Sequence, residues 1–229
     1  MYVTSPVQFH NGATRFDLAA AADEFSGTAS HVHTFGAGKT VFHEGDNAEF
    51  IYEILEGVVR SSKMLVDGRR QVLSFGYPGD MIGLSHDEFY HSDCDAVAPV
   101  KVRVFRKNAF SGAMESDPAF CAHLLRTAAA EVNSMQEHFL MLGRKSAMEK
   151  IASFLITLLD RQSAEREDAN SFALPMKRAD IADFLGLTIE TVSRTLTVLR
   201  KKGIIELPTA QKVHVLKPLA LRDLAESDL

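Results

Sequence analysis

One segment constrains this chain more than any other, the run from Arg178 to Ile205, RADIADFLGLTIETVSRTLTVLRKKGII. Its apolar residues recur every three or four positions, first at Ile181 and Leu185 and then at Val192, Leu196 and Leu199. Such spacing predicts two short amphipathic helices. Gly186 falls between them, where a tight turn needs a residue that can adopt positive φ. The segment is therefore predicted to form a helix-turn-helix.

The start of the second predicted helix carries polar groups that suit a DNA-reading role. Thr188 can cap the helix, and Glu190 places a carboxylate in its first turn, where the helix dipole favours negative charge. Thr191, Ser193 and Arg194 share the exposed face with Glu190. In a helix-turn-helix, side chains at this end of the second helix reach base edges in the major groove. Arg pairs with guanine, Glu accepts from cytosine N4, and Ser serves a base or a phosphate.

The residues that follow predict a β-hairpin. The second helix ends in the basic run Arg200–Lys202, Gly203 breaks it, and a strand opens at Ile204–Ile205. Pro208–Gln211 is the predicted loop, and Lys212–Leu216 is the predicted return strand. A winged helix-turn-helix places such a hairpin beside the DNA backbone.

Two interpretations of this region remain open. In the first it is a DNA reader with base contacts from Glu190, Ser193 and Arg194, and with backbone or supporting contacts from Thr188, Thr191, Lys201 and Lys212. In the second it is an ordinary helical hairpin, in which Glu190 and Arg194 form a solvated pair four residues apart. The hairpin that follows favours the first interpretation.

Short β segments separated by glycine turns begin near His33. The candidate strands are Phe35–Phe42, Phe50–Leu55, Val58–Val66, Arg70–Phe75 and Val100–Arg106. Asp67-Gly68 is a two-residue hairpin signal between the third and the fourth. Closely spaced strands with turn glycines predict a β-sandwich or jelly roll. Residues 1–32 show no sustained period and are expected to form a loosely held arm.

A long helix is predicted over residues 117–143. Apolar residues alternate at spacings of four and three along it, at Cys121, Leu125, Ala128, Val132, Met135, Phe139 and Leu142. This spacing is a coiled-coil seam carried over three heptads, and it predicts a homodimer. A core helix within one subunit is the alternative, but it would show a wider apolar face. A second helix is predicted at about Ser146–Arg161, and residues 163–171 are expected to form a surface loop.

The charge of the chain is unevenly distributed. The formal net charge of −5 over 229 residues argues by itself against a nucleic-acid binder. Residues 144–217, however, hold 13 Lys and Arg against 9 Asp and Glu, whereas the rest of the chain holds 12 against 21. The pattern fits a basic DNA-facing lobe and an acidic lobe, and the length allows two domains.

Other functional classes find little support in the sequence. The N-terminus lacks a basic region followed by an apolar core, and the apolar stretch Ile151–Leu159 is too short to span a bilayer, so no membrane association is expected. Cys94 and Cys121 do not make a disulfide framework. A cytoplasmic location is therefore expected. The sequence has no nucleophile elbow, phosphate-binding loop or zinc-protease helix, so we do not expect an enzyme.

The motif E-T-V-S-R at Glu190–Arg194 is similar to the E-x-x-S-R recognition signature of the FNR and FixK branch of the CRP/FNR family of bacterial transcription regulators. FHEGDNAEFIYEILEGVVR (42–60) and PGDMIGL (78–84) resemble the family's cyclic-nucleotide-binding β-roll, with glycines 45, 57, 79 and 83 at its turns. The resemblance covers residues 33–217. It implies an α+β fold with a β-roll (33–116), a dimerisation helix (117–143) and a winged helix-turn-helix domain (144–229).

The resemblance also implies partners and a DNA site. FixK-like regulators are expected to act as homodimeric activators with RNA polymerase, on genes of microaerobic respiration or nitrogen fixation. The implied site is a palindrome with TTG-rich half-sites similar to TTGAT and ATCAA. Arg194 would contact the guanine, Glu190 the cytosine paired with it or its neighbour, and Ser193 a thymine or phosphate.

Binding of a cyclic nucleotide is not expected. In the cyclic-AMP branch of the family, the segment after G-D-x-x-G supplies a Glu for the ribose and then an Arg-Ser pair for the phosphate. Leu84, Cys94 and Asp95 stand at those positions here. An aspartate would repel the phosphate, and no arginine lies between Arg70 and Arg103 to replace the missing one.

No cofactor or metal is predicted. An iron–sulfur cluster generally takes four thiolates, and this chain has no cysteine before Cys94. His86, His91 and Cys94 lie within nine residues and are suitable ligands for zinc or haem iron, but loop residues of this kind are more often solvated. An effector-gated regulator that binds a metal, haem or small ligand in the β-roll is the alternative function. If the Cys94 loop is exposed, Asp93 and Asp95 should raise the pKa of its thiol.

Overall fold

A computed structural model describes residues 31–108, 118–163 and 170–226. Within these residues the chain divides into two compact units between Met135 and Gln136. The first unit is mainly β-structure and the second is mainly helical.

Eight strands form two four-stranded antiparallel sheets in the first unit. One sheet, in the order β1-β8-β3-β6, contains His31–Phe35 (β1), Val100–Arg106 (β8), Phe50–Glu56 (β3) and Met81–Ile82 (β6). The other, in the order β2-β7-β4-β5, contains Thr40–Phe42 (β2), Asp93–Ala96 (β7), Val59–Met64 (β4) and Arg70–Gly76 (β5). Residues of both sheets share one apolar core, which includes the fully buried Ile54, Val59, Cys94 and Val102. The predicted β-roll is confirmed.

Several strand boundaries differ from the prediction. The predicted strand Phe35–Phe42 is wrong as a single element, because a turn at Gly38, with φ of 75°, separates β1 from β2 and sends them to different sheets. β1 begins at His31, so the expected arm 1–32 extends two residues too far, and its residues 1–30 lie outside the described residues. β6 and β7 were not predicted.

The hairpin between β4 and β5 has a longer loop than Asp67-Gly68 predicts. Leu65 N donates to Arg69 O at 2.8 Å, and Gly68 N donates to Leu65 O at 2.9 Å. Residues 66–68 therefore form a three-residue loop, and Gly68, with φ of 83°, supplies the left-handed residue that such a loop needs.

Two helices follow, Pro118–Arg144 (α1) and Ala147–Ser163 (α2). Their ends agree with the predicted helices to within two residues, although Asp117 lies outside the described residues. α2 begins with a capping box: Ser146 N donates to Glu149 Oε2 at 2.6 Å, and Glu149 N donates to Ser146 Oγ at 3.4 Å.

The second unit is a winged helix-turn-helix. Its remaining elements are Ser171–Ala173 (β9), Arg178–Leu185 (α3), Ile189–Lys201 (α4), Ile205–Thr209 (β10), Lys212–Val215 (β11) and Pro218–Glu226 (α5). The strands form one sheet in the order β10-β11-β9. Arg222 on α5 donates to Asp160 Oδ2 on α2 at 3.1 Å and so fastens the C-terminal helix to the unit.

Two predicted loops in this unit extend too far. β10 runs through Pro208 to Thr209, which pairs with Lys212, so the wing turn is shorter than Pro208–Gln211. A break in register between Glu206 and Thr209 accommodates the proline, which cannot donate to a ladder. In the loop predicted over residues 163–171, Ser163 instead ends α2, and Ser171 is buried and begins β9. Residues 164–169 of that loop lie outside the described residues.

In the described parts of the chain, no helix is long and apolar enough to cross a membrane.

Candidate DNA-binding interface

The turn between α3 and α4 has the geometry that the sequence predicts. Gly186 adopts the left-handed conformation, with φ of 62°. Thr188 caps α4, since its Oγ1 accepts from Thr191 N at 3.1 Å. A cap of this type contributes about 0.5–2 kcal/mol. The burial of the predicted apolar stripes fixes one face of each helix in the core and leaves the other face outward. The buried stripe residues are Ile181, Leu185, Val192, Leu196 and Leu199.

Glu190 and Arg194 lie on the outward face of α4 and form an ion pair, with 2.5 Å between Oε1 and Nη2. Both side chains are largely exposed. An exposed pair at this spacing contributes only about 0.3–0.5 kcal/mol. DNA can therefore take over either group at little cost, while the pair keeps both side chains extended on the same face.

Ser193 is exposed, but its hydroxyl is engaged. Ser193 Oγ donates to Ile189 O at 2.9 Å, one turn earlier in α4. In this rotamer the hydroxyl offers DNA only its acceptor lone pairs, whereas a phosphate or a thymine O4 requires a donor. The expected contact of Ser193 therefore needs a rotation about χ1. Thr191 is half-buried, and its hydroxyl lies 2.8 Å from that of Thr188, so it supports the cap.

The predicted basic residues lie on two elements of the winged helix-turn-helix, α4 and β11. Lys201 near the end of α4 and Lys212 at the start of β11 are both exposed. Arg178, which sequence reasoning did not single out, opens α3, and its Nη2 donates to Ala210 O in the wing turn at 3.4 Å. Burial lowers the pKa of Arg178. The sequence could have indicated Arg178 because it is a basic residue at the start of the first helix of the predicted helix-turn-helix.

The expected dimer seam is largely a surface feature of α1. Leu125, Val132, Met135 and Phe139 are 66%, 52%, 61% and 77% exposed, respectively. Ala128 is also exposed, whereas Cys121 and Leu142 are partly buried. A contiguous run of large apolar side chains on a helix surface is typical of an interface.

In the β-roll, the three residues that differ from the cyclic-AMP branch, Leu84, Cys94 and Asp95, have different surroundings. Leu84 is exposed and Cys94 is fully buried in β7. Asp95 accepts hydrogen bonds from Arg60 at 2.6 Å and from Thr40 Oγ1 at 2.9 Å. The sequence did not indicate Arg60, because only the residues between Arg70 and Arg103 were considered as a replacement for the missing arginine. Arg60 precedes that range, and the pairing of β4 with β7 brings it to Asp95.

The interpretation of Cys94 as a loop residue is wrong. Its thiol lies in the β-roll core, where burial raises the pKa to about 12, with Asp95 adding a smaller contribution. His86, His91 and Cys94 do not gather, and the described residues contain no group of three His, Cys, Asp or Glu that could hold a metal. His91 Nε2 instead lies 2.6 Å from Asp87 Oδ2.

Comparison with known proteins agrees with both halves of this architecture. Residues 32–117 match the cyclic nucleotide-binding domain family, and residues 149–224 match the Crp-like helix-turn-helix domain family. The nitrogen fixation regulation protein FixK of Bradyrhizobium diazoefficiens is 42% identical over 187 residues, 82% of this chain and 78% of that protein.

The chain belongs to the CRP/FNR family, in its FixK branch.

Further relatives support this assignment. The transcriptional activatory protein AadR of Rhodopseudomonas palustris is 40% identical over 86% of this chain and 81% of its own length. The structure of FixK2 from Bradyrhizobium japonicum superposes with a TM-score of 0.80 at 34% identity, covering 86% of this chain and 98% of that one. This FixK-type protein is a transcription regulator rather than an enzyme.

Proposed function

We propose that this FixK-type regulator activates transcription as a homodimer that reads a palindromic, TTG-rich DNA site without a bound effector. The observation that carries the proposal is the face of α4, where Glu190 and Arg194 stand exposed on a capped helix beside the wing. Arg194 reads the guanine, and Glu190 reads a cytosine opposite or next to it. Lys201 and Lys212 neutralise phosphates on either side.

The exposed stripe on α1 supports the homodimer. A two-fold palindrome requires a two-fold protein, and the seam repeats at the spacing of a coiled coil. Full burial of an exposed apolar side chain of this size contributes about 1.5–3 kcal/mol. Leu125, Val132, Met135 and Phe139 are already partly buried, so each would contribute a part of that value against a partner helix. Interaction with RNA polymerase follows from the same proposal, since the related activators act on transcription.

The β-roll supports effector independence. The Asp95 carboxylate already accepts from Arg60 and Thr40, and a cyclic phosphate at this position would meet its negative charge. Cys94 cannot replace the missing arginine, because its side chain points into the core. The groups that would bind a cyclic nucleotide are therefore either absent or engaged with one another.

The test is a selection of DNA sequences by the full-length protein as purified, followed by metal and absorbance analysis of the same sample. We expect enrichment of TTGAT–ATCAA palindromes. We also expect the purified protein to be colourless and to elute as a dimer. Enrichment of a single half-site would contradict the dimeric reader. Strict dependence of binding on a nucleotide, metal or reductant would favour the effector-gated alternative.

A further inference from the structure

Side chains from two other helices bind the C-terminal end of α3. A helix end leaves its last four carbonyls without intrahelical partners. His138 Nε2, on α1, donates to Phe184 O at 2.9 Å, and Lys150 Nζ, on α2, donates to Leu185 O at 3.2 Å. Ala182 O accepts from Leu187 N at 3.0 Å. The last turn of α3 has no basic residue of its own, so these capping groups all come from outside the helix.

Packing reinforces the two hydrogen bonds. The His138 ring stacks on Phe184, with 4.0 Å between centroids and 25° between planes. Phe184 also contacts Phe154 of α2, with 5.6 Å between centroids. A Cβ on Gly186 would lie 3.5 Å from Leu142 Cδ2, so the C-terminal part of α1 also packs beside the turn itself.

We propose that His138 and Lys150 are positioning residues for DNA recognition, which hold the C-terminal end of α3 and thereby set the orientation of the reading helix α4. Only residues 186–188 separate α3 from α4, so any movement of the Leu185 carbonyl is passed directly to the N-terminus of α4. Hydrogen bonds to base edges weaken steeply with misalignment, so a small rotation of α4 affects sequence reading first. This inference rests on the proposed DNA-binding function.

The chain supplies a matched control for general stability. Lys145 Nζ donates to Ala225 O at 2.7 Å and so caps the end of α5, which is not part of the helix-turn-helix. Lys145→Met removes a lysine cap from the same unit and leaves the α3–α4 turn untouched. If Lys150 only stabilised the fold, Lys145→Met and Lys150→Met should behave alike.

The first measurement is amide hydrogen exchange of Gly186 and Leu187 in the free protein, since both amides donate to Ala182 O and report opening of the turn. His138→Phe keeps the stacked ring but removes the donor, and His138→Gln restores a donor. We expect exchange to become about threefold to tenfold faster in His138→Phe and Lys150→Met, the factor that corresponds to one net hydrogen bond. His138→Gln should recover most of the protection, and Lys145→Met should match wild type.

The second measurement is the ratio of affinities for the selected palindrome and for random DNA. The ratio should fall in His138→Phe and Lys150→Met and stay unchanged in Lys145→Met, with all variants still dimeric. If the wild-type protein shows no preference for any palindrome, the proposed function fails, and the exchange rates still decide whether His138 holds the turn. Unchanged exchange in His138→Phe, or an equal loss on both kinds of DNA, would overturn the positioning role.

Discussion

Arg194 lies on the surface of α4 in an exposed ion pair with Glu190, which costs little to break when Arg194 makes the proposed base contact. Arg194→Ala should cost about 1–3 kcal/mol per half-site and relax discrimination at the guanine, because a bidentate contact to O6 and N7 is lost. Lys212→Ala should weaken all sequences alike, since a phosphate contact carries no sequence information. Titrations against the palindrome and its single-base variants measure both effects. An equal loss on specific and random DNA for Arg194→Ala would show that another residue reads the base.

Local sequence patterns predict features that depend on near neighbours, such as a helix cap, better than they predict a residue's burial and its distant partners. The cap at Thr188 and the exposed positions of Glu190 and Arg194 on α4 agree with the prediction, because they depend on neighbours within one or two helical turns. Cys94 was predicted to lie in a loop, because its neighbours in the sequence are polar. In the structure it is fully buried. Arg60 was missed because its partner Asp95 is 35 residues away in the sequence.

The buried Cys94 thiol should be unreactive in the folded protein. Burial raises its pKa to about 12, so almost none of the reactive thiolate exists at neutral pH. In a Cys121→Ser variant, which leaves Cys94 as the single thiol, labelling by a disulfide reagent should be no faster than unfolding of the β-roll. Fast labelling under native conditions would show that the Cys94 thiol is accessible and would make it a candidate redox sensor.

At the scale of elements, long periodic segments were predicted well and short ones poorly. α1, α2 and α4 each repeat an apolar pattern over several turns, so one irregular residue does not hide the helix. β6, β7 and β9 have only two, four and three residues, which is too short for an alternation to be distinguished from chance. These strands exist because neighbouring strands pair with them, and that information is not local.

The capping of α3 by His138 should make the α3–α4 turn sensitive to pH. Burial lowers the pKa of His138, and the charge of Lys150 lowers it further, while the hydrogen bond to Phe184 O partly opposes both. The state in which His138 caps α3 therefore favours the neutral form of the ring. Its stabilisation is present above the ordinary histidine pKa of about 6.5 and is lost as the pH falls through and below that value.

Protection of the Gly186 amide should therefore decrease between about pH 7.5 and about pH 5.5, the range in which histidine changes charge. His138→Phe should remove this dependence, because it has no titrating group. A dependence that persists unchanged in His138→Phe would assign it to another residue.

At the scale of the whole molecule, dimerisation should depend on the exposed stripe of α1. Met135→Glu and Phe139→Glu would place like charges against their symmetry mates in an apolar seam, where unpaired charge costs several kcal/mol. Both variants should elute as monomers and lose palindrome binding. Gln136→Glu adds the same charge one position away from the seam and should remain a dimer. A dimeric Phe139→Glu protein would locate the interface elsewhere.

Cyclic AMP should change neither the stability nor the DNA affinity of the molecule, because Arg60, the arginine beside Asp95, already binds that carboxylate. Arg60 and Thr40 both donate to Asp95, so a phosphate would have to displace these bonds and then remain beside a negative charge. A ligand at one hundred times its dissociation constant would stabilise the fold by about 2.7 kcal/mol, which a melting experiment detects as a shift of several degrees. We expect no shift with cyclic AMP, and the same DNA affinity with and without it. A raised melting temperature together with tighter DNA binding would mean that Arg60 exchanges Asp95 for phosphate, and would make this chain a nucleotide-gated regulator.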